Sequence, residues 1–164
     1  MRKNYVGILY LIRGLPGSAK TTLAQLLAPE SNYAADDLFT DDEDNYNFEL
    51  SRLKEAHQAC IANVSAAMVR ADPVIAVHNT MSQGWESGAY ENLAENWNYS
   101  IFVVECQNDF GNVHGVPEEV VQRMRERWEP LDGNLLPLWT IVRVRLKKRY
   151  SDLKQWLKSK RDLR

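Results

Sequence analysis

Cysteine is scarce: Cys60 and Cys106 are the only two in 164 residues. They are too few for a disulfide framework, and each lies in or beside an apolar segment, the setting of a reduced, partly buried small hydrophobe. That usage fits a cytoplasmic compartment better than a secreted one. Histidine is equally sparse, and His57, His78 and His114 come with no tight Cys/His spacing, so a structural zinc site has no support. Long apolar runs are missing as well. The first, Tyr5 to Ile12, stops at Arg13 and Gly14, too short for a membrane span, and no signal-peptide cleavage region follows it, so no membrane partner is expected. Repeats, low-complexity tracts and flexible linkers are absent, which points to one domain over 1–164.

What remains is the composition of a soluble globular chain, 45% apolar and 26% charged. The net charge of −2 conceals an asymmetry. Residues 1–142 carry 10 basic and 20 acidic groups, whereas 143–164 carry 10 basic and 2 acidic. An acidic body therefore ends in a basic terminal segment, which fits either a nucleic-acid contact or a solvated helix packed on the domain.

Hydrophobic patterning gives alternating strands and helices. Tyr5 to Ile12 is clustered rather than alternating, as in a parallel strand covered on both faces. Lys20 to Leu27 has an apolar face and is ended by Pro29. A short strand near Tyr33 to Ala35 delivers Asp36 and Asp37, and 36–47 reads as a surface loop holding six carboxylates. Leu50, Leu53, Ala56, Cys60, Val64 and Ala67 mark a helix from Phe48 to Arg70. Strands follow at Val74 to Val77, Ile101 to Val104 and Trp139 to Leu146; helices follow at Ser82 to Asn96, Glu118 to Trp128 and Tyr150 to Leu163. Asn108 to Pro117 is expected as a loop. The succession predicts one three-layer α/β domain.

The informative run is Gly14-Leu15-Pro16-Gly17-Ser18-Ala19-Lys20-Thr21-Thr22. It fits the Walker A template except that Ala19 stands where the last Gly normally precedes Lys, and it lies between an apolar strand and an amphipathic helix. Turn amides and a helix N-terminus in that setting receive phosphate oxygens, Lys20 sets a cation beside the β- and γ-phosphates, and the Thr21 hydroxyl serves magnesium. ATP and Mg2+ are thus the expected cofactors. Ala19 is expected to have a negative φ, because alanine is a good helix former.

Asp36 and Asp37 fall at a strand end, the ligand-facing edge of an open α/β sheet. Asp36 is assigned as the base for an acceptor hydroxyl, with Asp37 directed to magnesium or to local hydrogen bonding; caps on the following turn are the alternative. His78-Asn79-Thr80 occupies another strand end and either binds the acceptor or stabilises a turn. Arg123, Arg125 and Arg127 either supply guanidinium groups to donor phosphates from a closing element or form a solvent-facing stripe.

With these motifs in order, the chain resembles the family of small P-loop kinases that contains phage and repair-type polynucleotide 5′-kinases, and within it the branch similar to the kinase domain of NEDD4-binding protein 2. The resemblance rests on Arg13 to Ala24, Ala35-Asp36-Asp37-Leu38-Phe39, Tyr46-Asn47-Phe48, Ala56 to Cys60, His78-Asn79-Thr80, and His114 to Pro117 before Arg123-Met124, together spanning residues 6–130. It implies an adenylate-kinase-like parallel sheet, ATP with magnesium as donor, a nucleic-acid 5′-hydroxyl as acceptor, Asp36 as acceptor base and a lid Arg on the donor phosphates. The chain departs from the pattern at Ala19, at Phe39, where studied polynucleotide kinases have Arg, and at His78, where the motif often has Asp. A nucleoside or nucleotide kinase, and an ATPase or nucleotide-dependent interaction module, stay open beside the polynucleotide kinase.

Overall fold

The computed structural model describes residues 4–41, 43, 45–111, 115–130 and 139–144. Five strands are present among them: β1 (Gly7–Arg13), β2 (Asn32–Tyr33), β3 (Val74–His78), β4 (Tyr99–Cys106) and β5 (Trp139–Val144). They form one sheet in the order β2-β3-β1-β4-β5, and every pairing is parallel. Helices α1 (Lys20–Leu27), α2 (Leu53–Val69), α3 (Gly88–Asn96) and α4 (Glu118–Glu126) supply the connections. Parallel strands require such crossovers, and the three-layer α/β architecture expected from the sequence follows from them.

The central strand explains the clustered apolar run. Leu9 and Leu11 face one way, into a core with Val64 and Met68 of α2, Ile75 and Val77 of β3 and Tyr90 of α3. Ile12 faces the other way, against Ala24 of α1, Ala28 just past its end, Ala76 and Val104. Three alanines in that second cluster let α1 lie close to the sheet, and this brings the segment between β1 and α1 directly over the strand ends. β1 has β3 on one side and β4 on the other, with Ile12 opposite both His78 and Val104. Chain connections diverge there, and a doubly wound sheet presents its binding crevice at such a point.

Several boundaries differ from the sequence reading. α2 begins at Leu53 rather than Phe48, because Glu49 is extended and Leu50–Arg52 forms a separate 3-10 turn. Phe48 is drawn out of the helix onto the Phe39 ring. α3 begins at Gly88, after a 3-10 turn over Gly84–Ser87 whose Gly84 amide donates to Glu129. Among the described residues no helix is long and apolar enough to cross a membrane. The expected terminal helix and the basic segment past Val144 lie outside the described residues, as do Asp42, Asp44, His114, Gly133 and Pro137.

Candidate functional site

The turn from Gly14 to Ala19 joins the end of β1 to the start of α1, and its glycines are sterically required. A Cβ on Gly14 would collide with Ser18 Oγ and come within 2.9 Å of the Cys106 carbonyl. Gly17 has φ 79°, and a Cβ there would overlap the Gly111 carbonyl. The 108–111 loop consequently lies on the turn, with the Phe110 amide donating to Gly17 O at 3.0 Å. Ala19 overturns its expectation: φ is +70° and ψ 28°, the left-handed conformation. The chain must reverse hand there before α1 can start, and that geometric demand outweighs the helix propensity of alanine. An L-residue pays roughly 1–2 kcal/mol for it.

No side chain caps α1. Its first-turn amides therefore lack acceptors, the arrangement that receives an anion. Two buried hydroxyls flank them: Ser18 Oγ and Thr22 Oγ1 have no hydrogen-bond partner among the described residues. Buried hydroxyls normally find one, so these fit a site that a phosphate oxygen completes. Lys20 Nζ donates to the Leu15 carbonyl at 2.9 Å. Burial pushes its pKa down to about 8, opposed by neighbouring charge at Cys106 and Asp36. Thr21 Oγ1 is 3.5 Å from His78 Nδ1 at the end of β3. Burial, reinforced by the Lys20 charge, holds His78 down at about 4, so the ring is neutral near pH 7 and accompanies the phosphate loop as an uncharged polar group.

Asp36 and Asp37 lie on a 3-10 turn over Ala35–Phe39. Asp37 Oδ2 accepts the Ala34 amide at 2.7 Å, which is the local hydrogen bonding envisaged for it. Desolvation raises its pKa, the Ala34 amide opposes this, and Asp36 adds to it. Burial first, then the nearby Asp36 carboxylate, pushes the Tyr46 phenol up to about 12. Asn79 is buried, with Oδ1 accepting from the Ala35 amide at 2.9 Å and Nδ2 donating to Tyr90 Oη at 3.3 Å, the turn-stabilising contact that the sequence left open beside acceptor binding. Thr80 gives its carbonyl to the Gly14 amide at 3.2 Å.

Arg123, Arg125 and Arg127 are all exposed. Arg125 pairs with Asp109 at 3.4 Å and Glu118 at 3.2 Å, tying α4 to the loop over Gly17. A cavity of about 370 Å³ opens between Leu15-Pro16 and Cys106-Asp109, with Arg125 and Trp128 on its wall. Sequence reasoning missed Arg13. It is buried, stacks on Trp128 at 4.0 Å, donates to the Glu129 carbonyl at 2.8 Å and lies 3.9 Å from Glu105. An arginine closing an apolar strand was a usable signal, since a fully buried guanidinium must be paired.

A parallel sheet of this order, a phosphate loop with Lys20-Thr21 at the central strand, and a carboxylate turn just past β2, two strands over, define a P-loop protein of the kinase type. No protein-family model matches the sequence. The chain is 32% identical over 142 residues to NEDD4-binding protein 2 of Homo sapiens, an alignment covering 78% of this chain and 8% of that protein. The match thus spans a small part of the relative's length. Among solved structures, a candidate kinase from Chloroflexus aurantiacus J-10-fl superposes with TM-score 0.58 at 15% identity, covering 94% of this chain and 98% of that one. Kti12 of Chaetomium thermophilum, solved with ADP-AlF3, gives 0.56 at 14% identity, covering 94% and 97%. The chain is accordingly a relative of the P-loop kinases, sharing their fold and, with NEDD4-binding protein 2, recognisable sequence.

Proposed function

We propose that the chain transfers the γ-phosphate of ATP to a 5′-hydroxyl on nucleic acid. The observation that carries this reading is the uncapped start of α1 behind the 14–19 turn, with the buried Ser18 and Thr22 hydroxyls lacking partners among the described residues and Lys20 folded back on the Leu15 carbonyl of that turn. Triphosphate oxygens would take the uncapped first-turn amides of α1, with the Ser18 and Thr22 hydroxyls completing their shell. The nucleotide analogue on the Chaetomium relative supports a nucleotide here.

Thr21 and the Asp37 carboxylate are hard oxygen donors of the kind magnesium takes. Among the described residues no group of three His, Cys, Asp or Glu side chains could hold a metal alone, so a magnesium ion here would take its remaining ligands from the phosphates. Bound there with the nucleotide, the ion neutralises charge on the β- and γ-phosphates. The acceptor hydroxyl gives its proton to Asp36 as its oxygen bonds to the γ-phosphorus, and the bond to the bridging β-γ oxygen breaks to release ADP. Lys20 stabilises the equatorial charge. Arg125 exchanges Asp109 and Glu118 for phosphate when α4 closes, with Arg123 on the same helix and Arg127 just past its end.

The basic segment 143–164 supplies the contact to the nucleic-acid backbone, and two free, buried cysteines support a cytoplasmic setting. One observation favours a second reading. The strained backbone at Ala19 suits a site kept for nucleotide-dependent interaction or weak ATP hydrolysis. Incubation with γ-labelled ATP and magnesium across 5′-hydroxyl DNA, 5′-hydroxyl RNA, nucleosides and nucleoside monophosphates separates these. Label on oligonucleotides supports the proposal; label only on nucleosides or monophosphates gives a small-molecule kinase; free phosphate alone gives the interaction module.

A further inference from the structure

The turn that holds Asp36 also carries an aromatic surface that the chemistry above does not use. Phe39 is buried, and its ring meets Tyr46 edge-on at 6.4 Å and Phe48 at 5.1 Å. Asp36 lies on the same 3-10 turn as Phe39, so the three rings adjoin the proposed catalytic carboxylate. The outer ring, Phe48, is 50% exposed. Its exposure is not the product of a loose chain: the Asn47 amide donates to the Phe39 carbonyl at 2.8 Å, and Thr40 pairs with Tyr46 as an antiparallel bridge. A phenyl ring held in water on a fixed backbone forgoes apolar burial that an added flat ligand would restore. Charge narrows the ligand further. Asp36, Asp37, Asp41, Glu43 and Glu49 are exposed around this surface, a rim that repels a phosphorylated terminus and accepts an uncharged one.

We propose that Phe48 is the stacking platform for the base of the nucleoside whose hydroxyl is phosphorylated. The inference rests on the phosphotransferase reading and deepens it: the acceptor is chosen as a base-bearing terminal nucleoside with a free, uncharged 5′-oxygen. Every base has a π-face, so the platform senses the presence of a base and not its identity.

The test compares two 5′-hydroxyl oligonucleotides, one with an intact first nucleoside and one abasic at that residue, on the wild type, Phe48→Ala and Phe48→Trp. KM for the intact acceptor is expected to rise about 5- to 100-fold in Phe48→Ala, the range that base–aromatic stacking supplies. The abasic acceptor should already be that poor with the wild type and should be little affected by the substitution, while Phe48→Trp restores binding of the intact one. Equal KM for the two acceptors with the wild type, or an equal loss on both in Phe48→Ala, overturns the platform. Calorimetric titration of the same oligonucleotides in the presence of ADP reads the platform without turnover. Base-dependent affinity that Phe48→Ala abolishes, in a protein that labels no oligonucleotide, would sink the kinase reading and keep the platform; affinity independent of the base would sink the platform alone.

Discussion

Asn79, the first residue past β3, accepts the Ala35 amide hydrogen on Oδ1 at 2.9 Å, and through that bond the sheet fixes the turn that carries Asp36. Its other atoms are engaged with Tyr90 and Cys60, whose thiol pKa is raised mainly by burial. Asn79→Leu leaves buried partners unmet and is expected to destabilise the fold by about 1–3 kcal/mol. Urea unfolding checks this, and an unchanged midpoint would remove Asn79 from the support of the site.

At Ala19 the positive φ leads to an unusual expectation, that restoring the template glycine stabilises the protein. Ala19→Gly relieves the left-handed strain and should gain about 1 kcal/mol despite the greater chain entropy of glycine. Ala19→Val, β-branched at the same position, should lose more than that. Thermal melts of the three proteins, with and without ATP, provide the comparison; a less stable Ala19→Gly would contradict the strain.

For Lys20 the direction of the pKa shift fixes the pH dependence. Its folded-state pKa, about 8, lies below the ordinary 10.5, so between those values the unfolded chain holds a proton that the folded chain lacks. Stability from this group therefore rises with pH across that window and is flat below it. Binding of a polyphosphate reverses the bias by favouring the ammonium. ATP binding near pH 8.5 is expected to take up a proton, seen as a dependence of the calorimetric enthalpy on the ionisation enthalpy of the buffer. Lys20→Ala should abolish the uptake and strongly weaken ATP binding; uptake that persists in the mutant would assign the proton elsewhere.

The parts of the fold legible in the sequence are those that repeat. Leu9, Leu11 and Ile12 in β1, and Ala56, Cys60 and Val64 in α2, declare themselves by spacing, and the phosphate loop by its template. What was not legible depends on contacts distant in sequence. Phe48 looks like the start of a helix until Phe39 is placed beside it. Asn79 stays open between an acceptor and a turn role until the Ala35 amide, 44 positions away, is seen donating to its oxygen. Arg13 is only a strand end until Trp128 and Glu129 return to cover it. Ala19 was misjudged for a different reason: intrinsic preference was weighed without the reversal of hand that the turn demands.

The central claim is that Asp36 receives the acceptor's proton opposite a donor held by Lys20, and Asp36→Asn tests it most directly. The amide keeps the size of the side chain and removes the base. With γ-labelled ATP, magnesium and a 5′-hydroxyl oligonucleotide, the account predicts that the wild type labels the oligonucleotide, that Asp36→Asn labels it about 10²-fold more slowly or worse, and that ATP affinity is comparatively intact. Labelling by Asp36→Asn at the wild-type rate would contradict the assignment.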